Sequence, residues 1–97
     1  VMPQQALALA NSAMALDRAE ALADQLSRTH PEATAEADAA FLRDAFERVL
    51  NRPPTSAELD ACQEFLAVSR DQLDQHRRDR VAAVHVLFNH HDFVTIR

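Results

Sequence analysis

The sequence predicts an all-α fold, a small four- or five-helix up-and-down bundle with short loops, and three observations lead there. Ala, Leu, Arg, Asp and Glu are abundant, and these are good helix formers or helix-surface residues. Val and Ile are few and scattered, and no run alternates apolar with polar residues for long enough to build a sheet. Apolar residues instead recur three and four apart, in stretches interrupted by Asn, Thr and Pro. With 97 residues the chain is read as a single helical domain, 1–97, with one modest core.

The first stretch, Pro3 to Ala10, suits a short helix, with Pro3 at the first helical position where its missing N–H costs nothing. Asn11-Ser12 then interrupts, because both side chains compete for backbone hydrogen bonds and favour caps. Either Ser12 caps a new helix from Ala13 to about Arg28, or one long helix passes straight through. The apolar stripe Leu9, Ala13, Leu16, Ala19, Ala23, Leu26 stays in phase across Ser12. The reading leans to a break near Asn11.

Thr29 to Thr34 reads as a linker, because Pro31 stops the helix and pushes His30 to an extended conformation. Thr34 is then an N-cap, with Glu36 and Asp38 placed where the helix dipole favours negative charge. The helix it opens runs to Leu50 or Asn51 and carries one broad stripe: Phe41, Leu42, Ala45, Phe46, Val49, Leu50. Asp44 and Arg48, four apart, form a candidate surface pair. Asn51 serves as a left-handed stop in a chain without Gly, and Pro53-Pro54 forbid continuation.

Thr55-Ser56-Ala57-Glu58 is a capping box, in which the Thr55 hydroxyl and the Glu58 carboxylate satisfy each other's backbone N–H groups. Its helix shows Leu59, Cys62, Leu66, Ser69 and Leu73 at heptad-like steps, flanked by Phe65, and should reach about Gln72 or Gln75. Asp74 to Asp79 is a helix end, a turn or a continuous charged helix, since no Gly or Pro forces a break. The last helix is expected from about Arg80 to Asn89. Its apolar face of Val81, Val84, His85, Leu87 and Phe88 suggests the most buried helix. His90, His91 and Asp92 then form a turn, and Phe93 to Ile96 an apolar tail that folds back on the core.

Charge and composition exclude several function classes. The net charge is −5, and all ten basic residues are Arg, dispersed along the chain. That distribution has no electrostatic footprint for nucleic acid. The densest cluster, Arg77, Arg78 and Arg80, reads as a solvated helix face beside Asp74 and Asp79. No stretch approaches the ~20 apolar residues of a membrane-spanning helix, so no membrane insertion is expected. Without Gly there is no phosphate loop, dinucleotide fingerprint or nucleophile elbow. The abundant carboxylates fall on predicted polar faces, where solvated surface is the default reading.

The single cysteine, Cys62, lies within an apolar stripe and reads as a small buried hydrophobe. Five histidines raise a metal hypothesis, but His85, His90 and His91 lack the i, i+4 spacing of a helical zinc pair. His30 and His76 are far away in sequence. No metal and no cofactor is assigned from the residues. The chain opens on Val1 and stops at Arg97, and the expectation is a fragment of a longer protein.

Three strings in order carry a resemblance. They are Pro3-Gln4-Gln5-Ala6-Leu7-Ala8-Leu9-Ala10-Asn11-Ser12, Arg48-Val49-Leu50-Asn51-Arg52-Pro53-Pro54-Thr55-Ser56-Ala57-Glu58-Leu59, and Leu87-Phe88-Asn89-His90-His91-Asp92-Phe93-Val94. Together they resemble the C-terminal portion of a planctomycete-associated domain of unknown function, number 1553. Asn51 stands where that family usually has Gly, and the histidines at 90 and 91 depart from its pattern. The resemblance implies a domain at the C-terminus of large, apparently exported proteins, which often also carry cytochrome-c-like domains. It implies a periplasmic or extracellular location and no established catalytic residue.

The functional expectation is therefore a C-terminal helical structural or interaction module that docks against other domains of the same parent protein. The alternative is an enzymatic or redox site completed by upstream domains. In that case Asn11, Arg52, His90, His91 and Asp92 are the candidate exposed residues.

Overall fold

The computed structural model describes the backbone of residues 13–96 and the side chains of residues 15–89. The predicted helix at Pro3–Ala10, the break at Asn11-Ser12 and the Ser12 cap lie outside the described residues. Four helices and no strand occur among those described: α1 (Ala13–Thr29), α2 (Ala35–Leu50), α3 (Ser56–Ala67) and α4 (Leu73–Ile96). The fold is a small all-α bundle.

Local chemistry sets the boundaries of α2 and the start of α3. The Thr34 backbone is extended, with φ −126° and ψ 164°, and its hydroxyl accepts from the Ala37 N–H at 3.1 Å. At the other end Asn51 adopts the left-handed conformation, with φ 60° and ψ 28°, and its N–H donates to the Glu47 carbonyl. The capping box at α3 is complete: the Glu58 N–H donates to the Thr55 hydroxyl at 3.1 Å, and the Thr55 N–H donates to the Glu58 carboxylate at 2.9 Å. Asn51 is the one left-handed non-Gly residue among those described. Asn51→Ala is expected to cost about 1–2 kcal/mol, because a Cβ without a local hydrogen-bonding group is forced into that region. Asn51→Gly should lose less than Asn51→Ala, and paired thermal melts check the order.

Three boundaries differ from the sequence reading. α3 ends at Ala67 and not near Gln72, because the chain tightens into successive short turns. There the N–H groups of Ser69, Arg70 and Gln72 donate to the carbonyls of Leu66, Ala67 and Ser69. The turns break the heptad phase, so Leu73 is 71% exposed and leaves the expected stripe. α4 then begins at Leu73, and the polar zone Asp74–Asp79 forms its first turns. Neither Gly nor Pro follows Pro54, so nothing stops the helix, and its backbone stays helical through His90, His91 and Asp92 to Ile96. The expected turn at 90–92 and the folded-back tail are replaced by continuous helix.

The core brings together Ala19, Ala23 and Leu26 of α1, the α2 stripe of Phe41, Leu42, Ala45, Phe46 and Val49, Leu66 of α3, and Ala83, Val84 and Leu87 of α4. α2 and α4 pack on each other, while α1 and α3 flank them and do not meet. α2, not the last helix, is the most buried element, since α4 turns Ala82 and Val86 to solvent. α1 also departs from its expected stripe: Ala15, Ala19, Ala23 and Leu26 are buried, whereas Leu16 is exposed. The small α1 side chains let that helix lie close to its neighbours. Leu59 and Cys62 pack partly buried against the core. Burial, with the nearby Glu58 charge adding to it, pushes the Cys62 thiol up from its ordinary value, which suits an inert packing residue.

Candidate functional site

The densest polar cluster lies inside the bundle. Asp38, in the first turns of α2, is fully buried. It stands in phase with the apolar stripe, three and four residues before Phe41 and Leu42, so the helix that buries the phenyl ring buries the carboxylate as well. Three side chains from beyond α3 converge on it. Arg70 Nε donates to Oδ2 at 2.7 Å. Arg80 donates to Oδ1 from Nε at 3.2 Å and from Nη2 at 2.9 Å. His76 Nε2 lies 3.0 Å from Oδ1.

Arg80 uses all five of its N–H donors. Besides its two bonds to Asp38, Nη1 donates to Ser27 Oγ and the His30 carbonyl, and Nη2 to the Glu32 carbonyl. Its guanidinium carbon also sits 4.5 Å from the centre of the Phe41 ring. One side chain of α4 thereby ties the end of α1, the α1–α2 loop and the start of α2. Arg70 extends the cluster outward: its Nη2 donates to Gln63 Oε1, and Gln63 Nε2 donates to the Ala35 carbonyl. Nearby, His30 and Asp44 pair at 2.7 Å across the loop, which takes Asp44 away from the expected partner Arg48. Ser69 and Asp79 join the α3–α4 turn to α4 through a 2.6 Å hydrogen bond.

The electrostatics give this cluster a structural character. Burial alone pushes the Asp38 carboxyl up, but hydrogen bonds from Arg70, Arg80 and His76 outweigh it and hold the carboxyl below its ordinary value. A general acid or base needs a pKa near the working pH and reach to a substrate. Asp38 has neither, because donors surround it and water does not reach it. The depression between α1 and α4 is lined by Leu16, Glu20, Arg78, Val81, Ala82 and His85, and another by Asp24, Ser27, Arg28, Pro31 and Arg77. Asp38 lines neither. Among the described residues no three His, Cys, Asp or Glu side chains gather to hold a metal. No helix among them is long and apolar enough to cross a membrane.

Of the candidate residues named from sequence, Arg52 has its side chain described. It forms a two-point pair with Glu58, Nη1 to Oε1 at 2.8 Å and Nη2 to Oε2 at 2.9 Å, and Nη1 also donates to the Pro53 carbonyl. Its guanidinium carbon lies 5.8 Å from the Phe46 ring centre. Asn11 and the side chains of His90, His91 and Asp92 lie outside the described residues. The Arg52 contact and the Thr55 cap together draw the Glu58 carboxyl down to about 2 from 4.5. A carboxyl depressed on folding contributes stability above its unfolded value and loses it as pH falls through the folded one. The Glu58 contribution is therefore present above pH 4.5 and fades toward pH 2. Glu58→Gln keeps a capping side chain but removes this acid-sensitive component. Urea melts between those pH values should show a shallower decline for the variant.

Asp38, Arg80 and His76 are not among the candidates read from sequence, where the carboxylates and the Arg77–Arg80 group read as solvated faces and His76 lies apart from the other histidines. The signal was helical phase: His76, Arg80, Ala83, Val84 and Leu87 share one side of α4, and all are buried. A polar residue in phase with an apolar stripe is buried with it and brings its own partner.

A family model described as protein of unknown function (DUF1553) matches residues 1–66. No curated protein and no solved structure matches the chain. The match includes the first two of the three resembling strings, Asp38 and the Arg52–Glu58 turn, and stops before the third string and before Arg70, His76 and Arg80. It spans about two thirds of the sequence, and the chain belongs to the DUF1553 family of proteins of unknown function.

Proposed function

We propose that the chain is a helical structural and docking module of a larger exported protein, seated against other domains of that protein. The observation that carries this reading is the group of large apolar side chains left in solvent where α3 turns into α4. Phe65 is 46% exposed, Val68 82% and Leu73 71%. Phe65 and Val68 stand three residues apart on the helical register, and Leu73 follows just past the turn into α4; large apolar side chains left in solvent around one turn are a mark of contact with another polypeptide. The inward direction of the polar chemistry supports the same reading: the buried cluster and the Arg52–Glu58 pair join helices and turns. The family resemblance supports export and a periplasmic or extracellular location for the parent protein.

The test is reconstitution in two pieces. The chain and the remaining domains of its parent are produced separately, mixed, and followed by light scattering and by amide shifts of the labelled chain. The proposal expects a complex whose shifts fall on the α3–α4 corner. Two species that migrate independently, with no shift at that corner, would overturn it.

A further inference from the structure

We infer that the α3–α4 corner is built for a basic amphipathic partner, a polypeptide surface offering apolar side chains ringed by Arg or Lys. This inference rests on the docking reading and adds the partner's chemistry. Ala57, Asp60, Ala61, Glu64 and Phe65 share one outward side of α3, which Val68 at its C-cap continues, and all six are exposed. The side is apolar or small along its middle and acidic along its edge.

The charge balance of this region is lopsided. Between Pro53 and Gln75 there are five acids, Glu58, Asp60, Glu64, Asp71 and Asp74, and one base, Arg70. Arg70 is turned inward, onto Asp38 and Gln63. Glu58 is neutralised by Arg52. Asp74 shares a depression with Arg77 and Arg78, whose positive charge offsets it. Asp60, Glu64 and Asp71 remain exposed, with no ion pair or side-chain hydrogen bond among the described residues. An apolar patch with an uncompensated acidic rim selects the partner whose rim is basic, and opposes both a second copy of itself and an anionic membrane surface. Its outward side suits an extended or helical polypeptide, with Phe65 as the aromatic anchor.

The test uses the labelled chain and three designed helical peptides that share a Leu stripe and differ only in their polar residues, Arg, Gln or Glu. The Leu–Arg peptide is expected to shift amides within residues 57–74 and to bind about tenfold or more tighter than the Leu–Gln peptide, with an affinity that falls as salt rises. The doubly substituted Phe65→Ser, Val68→Ser chain, whose changes lie on the surface, should keep its helical circular dichroism and lose the binding. Asp60→Arg with Glu64→Arg should reverse the preference toward the Leu–Glu peptide. Equal binding of the Leu–Gln and Leu–Arg peptides at this corner would overturn the charge selectivity and leave the docking reading standing. Shifts confined to the depression between α1 and α4, or no shift with any peptide, would overturn both at this face.

Discussion

Asp38→Ala is expected to destabilise the domain by about 3–5 kcal/mol, the cost of leaving a buried charge without its partner. Arg80 is 2% exposed and His76 4%, so neither can turn to water when the carboxylate is removed. A small domain has about 5–15 kcal/mol in total, so the variant should be close to unfolding at ordinary temperature. Asp38→Asn keeps the shape and removes the charge. It should also be strongly destabilised, which separates lost charge from lost volume. Acid sensitivity gives a second readout. The Asp38 carboxyl is held below its ordinary value of 3.8, so its contribution is present above that value and is lost as pH falls through the lower folded one. Urea titrations at pH 7 and at pH 3 check both: the wild type should weaken markedly in acid, and Asp38→Asn should weaken less.

The second large effect is at Phe41. The ring is fully buried at the centre of α2 and also forms the face on which Arg80 rests. Phe41→Ala is expected to cost about 3–5 kcal/mol through lost burial and the cavity left behind. The cavity opens directly beneath the guanidinium, so the same substitution loosens the ion cluster. Phe41→Leu retains most of the apolar volume and removes the aromatic face, which isolates the stacking part at about 0.5–2 kcal/mol. Thermal melts of the two variants give the difference. If Leu is as damaging as Ala, the ring's contact with Arg80 outweighs its volume.

Much of this fold was legible in the residues, and the reasons are local. Thr34, Asn51 and the Thr55–Glu58 box act over three or four residues, and each sits where its backbone chemistry requires. The α2 stripe is nearly complete in sequence because a helix repeats its face over short distances. Less legible was what depends on distant partners. Arg80 reads as surface beside Arg77 and Arg78, and only the fold brings Asp38, Ser27 and the loop carbonyls around it. No breaker residue marks the end of α3 in the sequence; the turn follows from Arg70 reaching in to Asp38 and Ser69 to Asp79. His76 stands apart in sequence from the other histidines, and its partner Asp38 lies 38 positions away, a contact only the fold makes. The exposed apolar side chains at the α3–α4 turn are unreadable for the same reason, since Leu73 stands in phase in the sequence and only the turn removes it from the stripe.

The polar residues most suggestive of chemistry form an internal latch that joins α1, α2 and α4 through Asp38 and Arg80. A double-mutant cycle tests that directly, using Asp38→Asn, Arg80→Met and the combined variant in urea melts at neutral pH. The bonds from Arg80 to Ser27, His30 and Glu32 are lost in both Arg80 variants and cancel in the cycle. The latch predicts that the combined variant is more stable than the sum of the single losses by at least about 1 kcal/mol. Losses that add to within about 0.5 kcal/mol would show that the two side chains act independently, and would contradict it.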